Sequence, residues 1–240
     1  MSQCPHCHGL IPEGAPSCPN CGQPAGASPL TAPPPPPYAL ALGEYLKAGW
    51  VLFKQYPGGF VGFFLIYLVI QILLNYAGRI GWLASLVIGP PMMMGNFIVS
   101  AKLLQEQAVN FSDFFSGFRF FLPLLLLTLV SSILVSLGFI LLIIPGVYLA
   151  VSYLFASLLV IDRRLDFWPA MELSRRTVTP RWFTIFAFCL LLLLVNVAGA
   201  LVLGLGLLVS VPLSICALTA AYADIFGLQS DYSEKMPRLK

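Results

Sequence analysis

Charge is what this chain has least of. Of its 240 residues only 10% are charged, 58% are hydrophobic, and the mean hydropathy is +0.87. A soluble domain carries about 25% charged residues to cover its wet surface, so a soluble globular fold is excluded. Histidine is scarce as well. Both copies, His6 and His8, lie within the first 24 residues. Beyond them there is no Ser-His-Asp or Cys-His constellation, no phosphate-binding glycine loop and no His-Glu-x-x-His. Hydrolysis inside a membrane needs a positioned base or metal, so the chain reads as non-enzymatic. The apolar runs lack the period-two alternation of a barrel wall. The first begins near Phe60, too far along for a cleaved signal peptide.

The gaps between charges set the architecture. Lys54 to Lys102 encloses 47 residues with one charge, Arg79, while Arg119 to Asp162 and Arg181 to Asp224 each enclose 42 uncharged residues. A bilayer crossing takes about 20 apolar helical residues, so each window holds two spans and a tight turn. The spans are expected at about 60–77, 81–101, 120–137, 139–161, 182–200 and 205–225. The turns are expected at Gly78-Arg79-Ile80-Gly81, around Gly138, and around Gly199 to Gly206. The second member of each pair has proline early, at Pro90-Pro91, Pro145 and Pro212. Kinked second helices are the expectation, since neighbours or local 3₁₀ geometry satisfy the carbonyl that proline frees.

Each window is preceded by a short stretch mixing aromatic and charged residues: Leu42 to Lys54, Asn110 to Arg119, and Leu165 to Arg176. Such stretches suit the headgroup layer, and together with the hairpins they read as one loose unit used three times. For the third, Asp166 is the expected N-cap and Pro169 falls in the first turn, where its missing N–H costs little. Leu165, Trp168 and Met171 are expected to face the acyl boundary. Arg163, Arg164, Arg175, Arg176 and Arg181 are expected near anionic membrane lipids, each worth about 1 kcal/mol at the surface. The fold class predicted is therefore all-α integral membrane: six transmembrane helices as three helical hairpins with interfacial amphipathic helices, plus a small N-terminal zinc ribbon.

Orientation follows from the basic residues. With the N-terminus inside, twelve of the thirteen basic residues, all but Arg79, fall on one side, as do all ten acidic ones. The positive-inside bias places both termini in the cytosol.

Residues 1–24 carry four of the six cysteines: Cys4-Pro-His-Cys7, then Cys18-Pro-Asn-Cys21-Gly22. Two Cys-x-x-Cys knuckles supply four thiolates, which suits tetrahedral Zn²⁺ in a closed structural site. So short a segment has no core of its own and needs the metal to fold. A disulfide pair is the competitor, disfavoured by cytosolic placement; His6 or His8 can stand in for one cysteine ligand. Residues 25–41 include the run Pro33 to Pro37, a stiff extended spacer. The domains are thus 1–24 zinc ribbon, 25–41 proline-rich linker and 42–240 membrane domain. Cys189 and Cys216 lie inside apolar spans and read as small hydrophobes. The polar span residues Gln71, Asn75, Asn96 and Asn196 read first as interhelix glue. The span interiors hold essentially no ionisable residue of the kind that marks an ion path.

Leu141-Leu-Ile-Ile-Pro-Gly-Val-Tyr-Leu-Ala150, with Tyr153, Val160-Ile-Asp162 and Ala170-Met-Glu-Leu-Ser-Arg175, resembles a bacterial superfamily. It is that of uncharacterised six-span proteins termed glycerophosphoryl diester phosphodiesterase membrane domains, with the YciC-like proteins. The likeness covers residues 42–228 in outline, and its specific motif covers 139–183. At Thr179-Pro-Arg-Trp182 many relatives would show glycine in place of Pro180. The resemblance implies six spans in the bacterial inner membrane and an unassigned envelope role. It implies no phosphodiesterase activity, because that enzyme is a separate soluble domain in the relatives that have it.

The function expected is a non-enzymatic inner-membrane scaffold or regulator whose zinc ribbon reaches a cytosolic protein partner. The alternative is a transporter or lipid-handling protein, and a nucleic-acid partner is not expected. A mid-membrane cavity lined by Gln71, Asn75, Asn96 or Asn196 would favour the alternative.

Overall fold

The computed structural model describes residues Ser2–Gln3, Leu10–Ile11, 42–202 and 204–228. The chain divides into two compact units, Met1–Pro34 and Pro35–Lys240. In the first, strands β1 (Ser2–Gln3) and β2 (Leu10–Ile11) pair antiparallel, Ser2 opposite Ile11 and Gln3 opposite Leu10.

The second unit is helical. Its elements are α1 (Leu42–Gln55), α2 (Pro57–Tyr76), α3 (Gly78–Leu104), a 3₁₀ segment (Phe111–Phe120), α4 (Phe121–Leu141), α5 (Ile143–Ser152), α6 (Ala156–Arg163), α7 (Phe167–Val178), α8 (Trp182–Leu201) and α9 (Leu207–Phe226). Among the described residues six helical stretches are long and apolar enough to cross a membrane, which makes this a multi-pass membrane protein. They pair as α2–α3, α4 with α5–α6, and α8–α9.

The three pairs share one plan. In the most apolar stretch of α3, α5–α6 and α9, 50%, 44% and 50% of residues are buried, against 22%, 17% and 11% in α2, α4 and α8. The proline-bearing second members form the centre and the first members the rim. The amphipathic elements complete the pattern. The 3₁₀ segment packs on α3, α7 packs on α6 and α5, and α1 closes the ring by packing on α9. Each therefore lies on the second helix of the preceding hairpin, taken cyclically. Each packs part of its apolar face on protein, while Trp50, Val51, Phe111, Phe115, Phe118 and Trp168 stay exposed. In α1 the buried residues Tyr45, Gly49, Leu52 and Phe53 form a helical stripe against α9. In α7 Met171 is buried with Ala170, Leu173 and Ser174, and of the three residues expected at the acyl boundary Trp168 alone is exposed.

Local chemistry explains the remaining differences. The 3₁₀ segment repeats every three residues, so Phe111, Phe114 and Gly117 share a face. Phe114 stacks on Phe63 at 4.7 Å and meets Phe60 edge-on at 5.5 Å. Gly117 sits where any Cβ would overlap the Pro91 carbonyl oxygen. Asn110 and Asp113 form a capping box at its start, and Asp113 also pairs with Lys102 at 2.9 Å. The first hairpin turns at Ala77–Gly78, with Gly78 at φ +61°, and Arg79 to Gly81 already belong to α3. The second turns at Leu142 rather than at Gly138, which packs against Gly146 inside the hairpin. α3 and α9 run unbroken through their prolines, while Pro145 sits in the first turn of α5, where a missing N–H costs nothing. The expected fourth span breaks at 153–155 into α5 and α6.

The core sits at one end of the bundle. Apart from Gly138, the buried residues of α2, α4 and α8 lie in their first halves. Those of α9 begin at Ser210, and those of α3, Gly81 apart, begin at Gly89. Beyond that level the hairpins bury no large side chain.

Candidate functional site

Four polar groupings order the basic end. The first has a buried centre, Asp162 and Tyr222, and a half-buried flank, Arg163 and Phe226. Asp162, at the end of α6, is 3% exposed and accepts a 2.8 Å hydrogen bond from the Tyr222 hydroxyl of α9. Next to it Arg163 Nη2 donates to the Phe226 carbonyl at 2.7 Å, and its guanidinium stands over the Phe226 ring at 5.8 Å. A cation on the last carbonyls of a helix is favoured by the helix dipole. Phe155 meets Phe226 edge-on at 5.6 Å, and Tyr222 stacks on it at 5.0 Å. The α6 end thereby locks the end of α9.

The second grouping is on α7. Arg175 grips Glu172 through Nε at 2.9 Å and Nη2 at 2.8 Å, and Arg176 Nε donates to the same carboxylate at 2.6 Å. The Arg175 hydrogen bonds, ahead of those from Arg176, hold the Glu172 carboxyl down at about 2, against a smaller opposing push from burial. The third joins α5 to the start of α8: Tyr148 OH and Thr179 Oγ1 are 2.8 Å apart, and Trp182 Nε1 donates to the Tyr148 carbonyl at 3.2 Å. Trp182 also stacks on Phe186 at 5.0 Å. The fourth is the hydrogen bond from Tyr45 OH of α1 to Asp224 Oδ2 of α9.

The span amides are dispersed among separate seams. Gln71 Oε1 accepts from Ser85 Oγ, joining α2 to α3, while Asn75 Nδ2 bonds the Gln71 backbone carbonyl at 3.1 Å rather than its side chain. Asn196 Nδ2 donates to Ser214 Oγ at 2.8 Å and Asn196 Oδ1 accepts from Ser210 Oγ at 3.0 Å, joining α8 to α9. Asn96 is fully buried on α3, its side-chain amide making no hydrogen bond. Its backbone carbonyl accepts from Ser100 Oγ, which lies 3.3 Å from Cys216 Sγ. Cys216 is fully buried and Cys189 half-buried, as small hydrophobes in apolar spans would be.

The four expected zinc ligands, Cys4, Cys7, Cys18 and Cys21, lie outside the described residues. Among the described residues no cluster of three or more His, Cys, Asp or Glu side chains is placed to hold a metal. The pairing missed from sequence is that of Asp162 with Tyr222, and Arg163, expected near anionic lipids, donates to the Phe226 carbonyl. In the sequence Asp162 stands out only as the charged boundary of a 42-residue uncharged window. Its sequence neighbours alone do not reveal that Tyr222, 60 residues on, supplies its donor. A comparison with protein-family models, curated proteins and solved structures finds no match to this chain.

Proposed function

We propose that this protein is a non-enzymatic scaffold or regulatory protein of the bacterial inner membrane. Both termini lie in the cytosol, and a zinc ribbon of Cys4, Cys7, Cys18 and Cys21 presents a recognition surface to a cytosolic protein partner across the 25–41 spacer. The resemblance of residues 139–183 to the phosphodiesterase-membrane-domain and YciC-like proteins belongs to this reading. The observation that carries it is the use made of the span amides. Asn196 is spent on Ser210 and Ser214, and Gln71 on Ser85. A conduction path needs polar groups that converge; these hold two different hairpins shut.

The test isolates the head. The full chain should bring down a cytosolic protein in stoichiometric amount from mild detergent. A variant lacking residues 1–24, and a Cys4→Ser/Cys21→Ser variant, should lose it while still inserting in the membrane. Equal recovery with all three sinks the proposal. Transport or lipid handling is the second reading, favoured by the break between α5 and α6, since broken helices line transporter sites. A solute or lipid flux in proteoliposomes that falls on Asn196→Leu would put it first.

A further inference from the structure

Two of the polar groupings at the basic end form one surface. Thr179 opens the 3₁₀ turn Thr179–Arg181 between α7 and α8, and its hydroxyl donates to the Arg175 carbonyl at 2.6 Å. That proton is committed, so at the 2.8 Å contact the Tyr148 hydroxyl is the donor and Thr179 Oγ1 the acceptor. The Tyr148 oxygen in turn lies beside the Arg175 guanidinium. α5, α7 and the start of α8 thus meet around Arg175, and Trp182 Nε1 closes the frame on the Tyr148 carbonyl. Both hydroxyl protons are engaged inside this frame. What it presents outward is guanidinium N–H and positive charge.

The charge there does not balance. Arg175 and Arg176 share the single carboxylate of Glu172, which leaves one positive charge over on one turn of α7. Among the described residues the other ion pairs match one cation to one carboxylate, Lys47 with Glu44 and Lys102 with Asp113. The excess faces outward, since the Arg175 and Arg176 side chains are 38% and 54% exposed. An apolar track leads away from the same point. Phe183, the second residue of α8, is 81% exposed, and Leu190, Leu194 and Leu201 continue its face at helical spacing, all exposed. A ligand that fits both features has an anionic head and a long apolar chain.

We propose that Arg175 and Arg176 hold the phosphate of one anionic phospholipid, whose acyl chain lies along the Phe183–Leu201 face of α8. Guanidinium forks suit phosphate oxygens. A zwitterionic lipid fits less well, because its own cation meets the uncompensated positive charge. Of the five arginines that the sequence sets near anionic lipids, Arg163 is committed to the Phe226 carbonyl, and the site selects this pair. The reading is independent of the zinc ribbon and its partner.

The test is native mass spectrometry of the full chain in detergent, titrated with dioleoyl-phosphatidylglycerol and with the matching phosphatidylcholine. Wild type should hold phosphatidylglycerol about fivefold more tightly, the factor for one cation at an anionic surface. Two variants should then move in opposite directions. Arg176→Gln leaves Glu172 matched by Arg175 alone, so the preference should vanish. Glu172→Gln leaves both cations uncompensated, so the preference should rise by about fivefold again. Arg164→Gln, at the exposed residue that follows α6, should change neither affinity. Equal wild-type affinity for the two lipids overturns the proposal. So does a loss of preference in both Arg176→Gln and Glu172→Gln, which would mean that the triad only holds α7 together. An equal loss in Arg164→Gln marks bulk attraction and overturns it as well. Displacement of the lipid by inorganic phosphate, where chloride at the same ionic strength does not displace it, marks a free-anion site with the same consequence.

Discussion

Replacing Gly49 with alanine tests the seam that closes the ring. Gly49 lies in the middle of α1, where a glycine ordinarily costs about 1 kcal/mol relative to alanine. It is tolerated there because a Cβ at Gly49 would meet Ala217 N at 2.7 Å, Cα at 2.8 Å and Cβ at 2.9 Å. Two of those three atoms are backbone of α9 and cannot rotate away. The helices must separate, and overpacking of this kind costs about 1–3 kcal/mol. Gly49→Ala should therefore destabilise, after its propensity gain is offset, by roughly 0–2 kcal/mol. Gly43→Ala in the same helix is the control: nothing lies within 4 Å of its Cβ position, so it should be neutral or stabilising. The assay is thermal unfolding in detergent, read as the difference between the two variants. Adding Ala217→Gly to Gly49→Ala removes one close atom of three and should restore only part of the loss, measured as a double-mutant coupling. If Gly49→Ala raises the unfolding midpoint as much as Gly43→Ala does, α1 does not pack on α9 in this way.

Tyr222→Phe should cost about 1–3 kcal/mol, because the buried Asp162 carboxylate loses a donor; an unchanged unfolding midpoint would show that Asp162 is satisfied without it. Glu172 predicts an acid-side effect. Its folded value, about 2, lies below the ordinary 4.5, so its contribution is complete above 4.5 and is lost as pH falls towards 2. Wild type should therefore lose stability over that window relative to Glu172→Gln, with a small amplitude because the ion pair is part-exposed; parallel pH curves for the two would refute it. Metal analysis of the purified chain should find one zinc per chain, abolished in Cys4→Ser/Cys21→Ser; a wild-type stoichiometry near zero removes the zinc ribbon.

What the sequence determined by itself is whatever depends on composition and local period. The uncharged windows between Arg119 and Asp162 and between Arg181 and Asp224 impose helices, since a backbone in lipid must satisfy its own hydrogen bonds. The aromatic and charged stretches at Leu42, Asn110 and Leu165 became helical elements, because their apolar residues recur at helical spacing. What tertiary structure alone decided is where those apolar faces go. A face of Tyr45, Gly49 and Leu52 suits lipid and protein equally well on hydropathy, and only the close approach of Ala217 settles the choice for α9. The same holds for Met171, taken in by the core beside α6, and for Asp162, whose acceptability in an apolar interior rests on a tyrosine brought back by a later hairpin. Hydropathy gives α4 and α5–α6 as two stretches long and apolar enough to cross a membrane, but not the hydrogen bond from Trp182 Nε1 to the Tyr148 carbonyl that ties this hairpin to α8, because its partners stand 34 residues apart in sequence.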